Sequence, residues 1–445
     1  METPICDFVR KYSQEKTLRL HMPGHKGHPV LGVESLDITE IPGADSLYEA
    51  DGIIAQSEAN ASRLFGCRTL YSTEGSSQCI RAMLYLLQLY ARQTGKMPLI
   101  AAGRNVHKTF LTAAALLDLD VEWLYPEEKA SYLSCDLKRE TAESYLESGQ
   151  EKPVAIYVTS PDYLGNQLDI RTLAEVCHRH GVLLAVDNAH GAYLKFLPHS
   201  QHPIDLGADI CCDSAHKTLP VLTGGAYLHL SHAMDEVIGA QAKQALALFG
   251  STSPSYLILQ SLDAANVYLE AYTSKLKTFI MQIDKLKQSL HQHGYLLCGN
   301  EPLKLTIDAN AYGYAGETLA RRLRDEKIEV EFSDSNYLVM MLTPETGEEG
   351  LQQLLHALSQ ITRREPLLLQ TPVMKPGKQL LSIREAMLSE SEMVATEESL
   401  GRILATPSVA CPPAVPILVC GEEIDAHAVR CFLYYGVKKL AVVKE

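Results

Sequence analysis

Two periods alternate along the apolar positions of this chain. Clusters spaced three and four residues apart, the mark of a helix with one buried face, are separated by short apolar runs of the kind that form buried strands. "SEANASRLFG" predicts a helix stopped by Gly66, "RTLYS" a short strand, and "SSQCIRAMLYLLQLYARQTG" a long helix that starts at serines and ends at Gly95. "MPLIAAG", "VEWLY", "PVAIYVTS" and "GVLLAVDNAH" read as strands, with the helix "LAEVCHRHG" before the last of them. Strands that are apolar almost throughout are buried on both faces, so the pattern predicts an α/β fold with a mainly parallel, helix-covered sheet. "YLILQSLDAANVYLEAYTSKLKTFIMQIDKLKQSL" predicts one long helix leading out of this domain. After it, "LKLTIDA", "GETLARRLRDEKIEVEF", "YLVMMLTP" and "GEEGLQQLLHAL" give the pattern of a second, smaller α/β domain. "REPLLLQTPVMKPG", with three prolines, reads as a linker to a C-terminal module.

Composition changes this picture in a few places. At 445 residues the chain exceeds what one core serves, so several domains are expected. The 40 Lys+Arg against 54 Asp+Glu argue against a nucleic-acid partner and suit a small cationic substrate. Eleven cysteines contain no CxxC pair, and the adjacent Cys211 and Cys212 make neither a metal-ligand spacing nor an ordinary disulfide framework. Reduced thiols and no metal are therefore expected. "METPICDFVR" has no basic region leading into an apolar one, and no run approaches membrane-spanning length, which predicts a soluble, cytoplasmic protein without a membrane partner.

The strand ends carry the chemistry. "STEGSSQC" puts Gly75, Ser76 and Ser77 at a helix N-terminus, where free amides, the helix dipole and hydroxyls favour a phosphate, although serines also cap helices for structural reasons. "AVDNAHG" delivers Asp187 to the carboxyl end of an apolar strand, with His190 three residues later. Lys217, in "CDSAHKTLP", lies 30 residues beyond Asp187 after one more strand, so neighbouring parallel strands bring both into one crevice. A phosphate cradle, a carboxylate and a lysine together are what pyridoxal phosphate demands: the lysine bonds the aldehyde and the carboxylate keeps the pyridine nitrogen protonated. Small residues before Lys217 allow close backbone approach, while Ser214 and His216 can donate to the phosphate. In "RNVHK", His107 follows another strand end, where a flat imidazole can lie on the cofactor ring.

These segments, with "HMPGHKG", "TEIPGADSLYEADGIIAQSEANASRLFG", "TSPDYLGNQLDI", "STSPSY" and "CPPAVPILVCGEEI", resemble the bacterial ornithine/lysine/arginine decarboxylases over nearly the whole chain. The resemblance implies a pyridoxal-phosphate fold type I large domain with a seven-stranded-type, mainly parallel sheet. It implies an N-terminal arm over residues 1–45, the large domain over 46–295, the small α/β domain over 296–365 and a C-terminal decarboxylase-type domain over 366–445. It makes Lys217 the cofactor lysine, Asp187 the pyridine partner, His107 the stacking residue and His190 a cofactor or substrate contact, with Ser76, Ser77, Ser214 and His216 on the phosphate. Ser251, Thr252 and Ser253, like "PGHKG", would lie at the interface of a homodimer with composite sites; the structural alternative is a helix cap at Ser253. The chain departs from the family's pattern at Asn188, Tyr193, Cys411 and Cys420, which bears on substrate choice, and its start leaves no room for the N-terminal wing domain of larger members, so very large assemblies are not expected. The implied reaction is decarboxylation of arginine, lysine or ornithine. The alternatives are an aminotransferase or lyase on the same fold, with Arg384 as a clamp for the substrate α-carboxylate, or a non-catalytic regulator that binds the cofactor.

Overall fold

Every apolar run expected as a strand before residue 231 forms one: β1 (Arg68–Ser72), β2 (Leu99–Gly103), β3 (Asp120–Leu124), β4 (Ala155–Thr159) and β5 (Leu183–Asp187), with β6 (Ile210–Asp213) and β7 (Ala226–Leu230) after them. The structure, a computed structural model, describes residues 1–126, 131–148, 151–369, 371–373, 375–407 and 413–444. Two compact units emerge, one made of Met1–Met97 with Ile170–Lys277 and the other of Pro98–Asp169 with Thr278–Glu445.

In the first unit the strand order is β1-β7-β6-β5. β5 and β6 run parallel, with Asp187 opposite Cys212, whereas β7 is antiparallel to both β6 and β1. The connection from Ser214 to Gly225 holds only the four-residue helix Ala215–Thr218 and a Gly-Gly turn, so it lacks the crossover helix that a parallel return requires. Gly224 is in the left-handed region, and a Cβ there would lie 2.8 Å from the Thr73 carbonyl oxygen. That close approach lets the Gly224 carbonyl accept from the Gly75 N–H at 2.7 Å, which seats the turn on the start of the helix Gly75–Thr94. This helix packs on β6 and β7 and buries Cys79, Ile80, Met83, Leu84 and Leu87.

The long helix expected after β7 is two, Tyr256–Glu270 and Tyr272–Gln292. The break at Ala271 turns Tyr272 inward, where its buried ring meets Phe196 at 5.7 Å.

In the second unit β2 lies between β4 and β3, parallel to each. A four-stranded antiparallel sheet follows, ordered β10-β11-β9-β8, from β8 (Leu296–Cys298), β9 (Lys304–Asp308), β10 (Phe332–Ser333) and β11 (Tyr337–Met341). β8 and β10 were not expected as strands; three and two residues are too few to display a period. In the C-terminal part β12 (Ser391–Ala395) pairs antiparallel with β13 (Lys439–Val443). Phe432, Leu440 and Val442 share one apolar core with Leu133, Leu164, Val415 and Ile417, so this part does not hang free of the unit.

Candidate active site

Lys217 lies in the short helix after β6, whose first turn is closed by the Lys217 N–H donating to the Ser214 carbonyl at 3.0 Å. Its Nζ is 2.9 Å from Nε2 of His190, which stands in the turn that follows β5. The register of β5 on β6 makes this meeting possible, because it ends both strands side by side. Asp187, the last residue of β5, is only 2 % exposed; its Oδ1 accepts from the Ala189 N–H at 3.1 Å and from the Cys212 thiol at 3.8 Å. Burial, followed by the charge of Asp187, pushes the Cys212 thiol far up, so it stays protonated and donates.

The helix start that was expected to cradle a phosphate lies beside this lysine. The helix begins at Gly75, whose φ of 71° is left-handed, and carries Ser76 and Ser77 in its first turn, where backbone N–H groups have no intrahelical acceptor. Ser214 Oγ bonds Ser76 Oγ at 2.7 Å, joining the lysine turn to the helix start. His216 donates from Nδ1 to the Gly225 carbonyl at 3.0 Å, and its Cε1 would be 3.9 Å from a Cβ on Gly75. An amide-rich helix start, two hydroxyls, an imidazole, a buried carboxylate and an amine thus converge within one unit. That donor set fits pyridoxal phosphate, with Ser76, Ser77, Ser214 and His216 on the phosphate side, Asp187 for a ring nitrogen and Lys217 for the aldehyde.

Sequence reasoning missed what lies beneath. Asp213, wholly buried at the end of β6, accepts on Oδ1 from Asn188 Nδ2 at 2.7 Å and on Oδ2 from Nε2 of both His202 and His229 at 3.1 Å. His229 Nδ1 is in turn 2.9 Å from the Thr69 hydroxyl. Burial alone would raise the Asp213 carboxyl, but the charges and hydrogen bonds of His202 and His229 outweigh it and hold the group well below the usual carboxylate range. The signal in the sequence was a lone acid between "ADICC" and Ser214, and a histidine inside the apolar strand "AYLHL".

The second unit holds His107 and Arg384. His107 caps the helix Lys108–Leu117, its Nδ1 accepting from the Thr109 N–H at 3.2 Å. The Lys108 N–H donates to the Ala414 carbonyl at 2.7 Å, and the buried Arg104 guanidinium donates to the carbonyls of Pro416 and Ile417 at 2.9 and 3.1 Å. The "PAVPI" segment is thereby strapped to the loop that carries His107. Arg384 donates to the carbonyls of Ala115 and Leu116 at 2.8 and 3.2 Å and faces Asp118 at 3.8 Å, so it caps the far end of the same helix. A cavity of about 320 Å³ in this unit is lined by Tyr132, Glu317, Glu331, Asp334 and Tyr435. Glu331 accepts from the Tyr163 hydroxyl at 2.7 Å, and Arg324, which also lines the cavity, is paired with Glu329 at 3.0 Å. None of the acids in this cavity was picked out from the sequence, where they are ordinary charges on a helix and a hairpin.

Ser251, Thr252 and Ser253 are exposed on the single chain. The Ser251 N–H donates to Glu74, the residue before Gly75, and the cap of the next helix is Ser255, accepting from the Ile258 N–H, in place of Ser253. Tyr193 and Cys420 are wholly buried, and Cys411 lies outside the described residues.

Comparison with known proteins follows the same lines. The family model described as Orn/Lys/Arg decarboxylase, major domain, matches residues 3–297, and that family's C-terminal domain matches residues 359–439. The arginine decarboxylase of Bacillus subtilis is 29% identical over 460 residues, spanning 95% of this chain and 91% of that protein. That of Halalkalibacterium halodurans is 27% identical, with the same 95% and 91% coverage. Among solved structures, the lysine decarboxylase of Francisella novicida superposes with a TM-score of 0.79 at 18% identity, covering 99% of this chain and 81% of that one. An alanine–glyoxylate aminotransferase from Nostoc sp. shares the fold more distantly, with a TM-score of 0.56 at 15% identity over 69% of this chain and 85% of the other.

Proposed function

Because the chain belongs to the Orn/Lys/Arg decarboxylase family and is an amino-acid decarboxylase with the matching α/β fold, we propose that it converts arginine, lysine or ornithine to the corresponding amine and CO2, using pyridoxal phosphate held at Lys217. The observation that carries this reading is the meeting of Lys217, His190, Asp187 and the Ser76–Ser214 pair at the ends of β5 and β6. When bound, the cofactor supplies an electron-accepting ring for the pair left behind as the α-carboxylate departs. The residues do the rest. Asp187 places a buried negative charge where a ring nitrogen must stay protonated. Ser76, Ser77, Ser214 and His216 hold the phosphate and so orient the ring. Lys217 Nζ and His190 Nε2, 2.9 Å apart, can pass one proton between them. The proton that replaces CO2 on the substrate Cα comes from Lys217 Nζ, His107 being the alternative donor.

Arg384 weighs against the aminotransferase alternative, since its guanidinium is committed to helix carbonyls and to Asp118. A cytoplasmic homodimer goes with the decarboxylase reading. It is supported by the ten described cysteines, all unbridged, and by an N-terminal arm that exposes Leu18, Leu20, Val30 and Leu31, each more than three-quarters accessible. No helix among the described residues is long and apolar enough to cross a membrane. In that dimer Ser251, Thr252 and Ser253 would serve the partner's site. Mixing Lys217→Ala with a variant altered at Thr252 and Ser253 should restore activity in hybrid dimers, and hybrids that stay inactive would dismiss the composite site. The reaction itself is tested by incubating the cofactor-loaded protein separately with arginine, lysine and ornithine. CO2 and the matching amine are expected with one of them; a keto acid in their place would point to the aminotransferase.

A further inference from the structure

Asn188 and Asp213 have no part in the chemistry above, yet both are wholly buried and bonded to each other. Asn188 directly follows Asp187, and Asp213 directly precedes Ser214. We propose that this pair is the positioning device of the site, tying the Asp187–Gly191 turn to the Ser214–Lys217 turn so that His190 and Lys217 meet in one geometry. The inference rests on the reading that Lys217 is the reacting lysine.

Three elements fix the carboxylate of Asp213 and keep it from rotating. His202 precedes the short turn Pro203–Leu206, His229 lies in β7, and Asn188 ends the β5 side. Asn188 is held as firmly: its N–H donates to the Cys212 carbonyl at 3.0 Å and its own carbonyl accepts from the Gly191 N–H at 2.8 Å. A Cβ on Gly191 would come within 2.0 Å of Asn188 Oδ1, so the turn closes over the Asn188 side chain only because residue 191 is glycine. His190 sits inside that closed turn. The donor and acceptor roles are complementary, amide N–H to carboxylate, and a carboxylate at 188 would set two like charges at hydrogen-bonding distance. The ligand atoms of His202, Cys211 and Asp213 also fall within 4.8 Å of one another, as in a metal centre. Here both imidazoles already donate to the carboxylate, and burial, with Asp213 next, pushes the Cys211 thiol far up, so the cluster reads as a hydrogen-bonded anion.

The test compares Asn188→Asp with the exchanged pair Asn188→Asp/Asp213→Asn, which restores a complementary amide and carboxylate with the roles reversed. In the cofactor-free proteins, deuterium exchange at the amides of residues 188–191 should quicken about tenfold in Asn188→Asp and return close to the parent's in the exchanged pair. In the loaded enzyme kcat should fall by about a hundredfold with KM little changed, and recover in the exchanged pair, as expected when reacting groups are displaced by about an ångström. Parental exchange and turnover in Asn188→Asp, or an exchanged pair that folds but does no better than the single variant, would overturn the proposal. Should Asn188→Asp not fold, Asn188→Ala carries the exchange measurement, and an unaltered 188–191 turn there has the same force. Stoichiometric zinc in the parent protein, lost in Asp213→Asn, would also overturn it by making the cluster a metal centre. If the parent decarboxylates no basic amino acid, the reaction assignment falls while amide exchange still decides the role of the pair.

Discussion

Asp213 in the first unit and Asp334 in the second are both buried carboxylates, and they are treated in opposite ways. Asp213 receives three hydrogen bonds on its two oxygens, and the histidines that supply two of them keep it ionised. Asp334 accepts on Oδ1 from the Asn336 and Tyr337 N–H groups at 2.8 and 2.7 Å, but its Oδ2 is buried without a partner among the described residues. Burial, with the charge of Glu317 adding to it at the end, pushes Asp334 up to about 6 despite the two backbone bonds. A charge completed by the protein's own donors can serve geometry. A charge left incomplete beside Glu317, in a cavity with two tyrosine rings, costs stability instead.

If the first unit holds the chemistry, substitutions should separate into those that abolish turnover and those that change stability alone. The largest effect is expected from Lys217→Ala, which should abolish turnover altogether. Borohydride reduction of the parent followed by peptide mapping should put the pyridoxyl label on Lys217, and a label on Lys108 or Lys195 would break the assignment. Asp187→Asn comes next. It should fold and keep much of its cofactor while losing about a hundredfold or more in kcat, and near-parental kinetics would mean that the buried carboxylate does not tune the ring.

Asp334→Asn sharpens the contrast through stability. Its folded pKa of about 6 lies above the ordinary 3.8, so the folded protein holds this proton more tightly than the unfolded chain does. Stability is therefore lost as pH rises from about 4 through about 6, and the loss is complete at neutral pH, on the order of 1–3 kcal/mol. Urea unfolding should find Asp334→Asn more stable than the parent at pH 7, with the advantage gone near pH 4. Asp213→Asn should show the reverse sign at pH 7, since it removes a charge that the fold has compensated. The smallest effect is expected from Arg384→Met, which should cost about 1 kcal/mol of stability through the lost helix cap and leave the product an amine; a gain of keto acid or a large loss of turnover would return Arg384 to the active site.

The strands, the Gly66 and Gly95 helix stops, the parallel neighbours β5 and β6 and the placing of Gly75, Ser76, Asp187 and Lys217 at their ends were all legible in the sequence. They follow from local rules: periodicity marks which face is buried, glycine marks where a helix must end in a left-handed residue, and an apolar strand delivers its last polar residue to an open edge. The antiparallel return of β7, the break at Ala271 and the two short strands of the smaller sheet were not legible, because each depends on how little room a connection leaves or on which ring finds a neighbour. The same limit hid the network under the site. Nothing local to Asp213, His202, His229 or Asn188 says that they meet, since their partners lie on three different elements and only packing brings them to 2.7–3.1 Å. The chain order alone pointed to the residues proposed to react. Tertiary structure decided which of the charged residues are completed by others and which are left wanting, because burial and hydrogen-bond satisfaction belong to the assembled neighbourhood and not to any one segment.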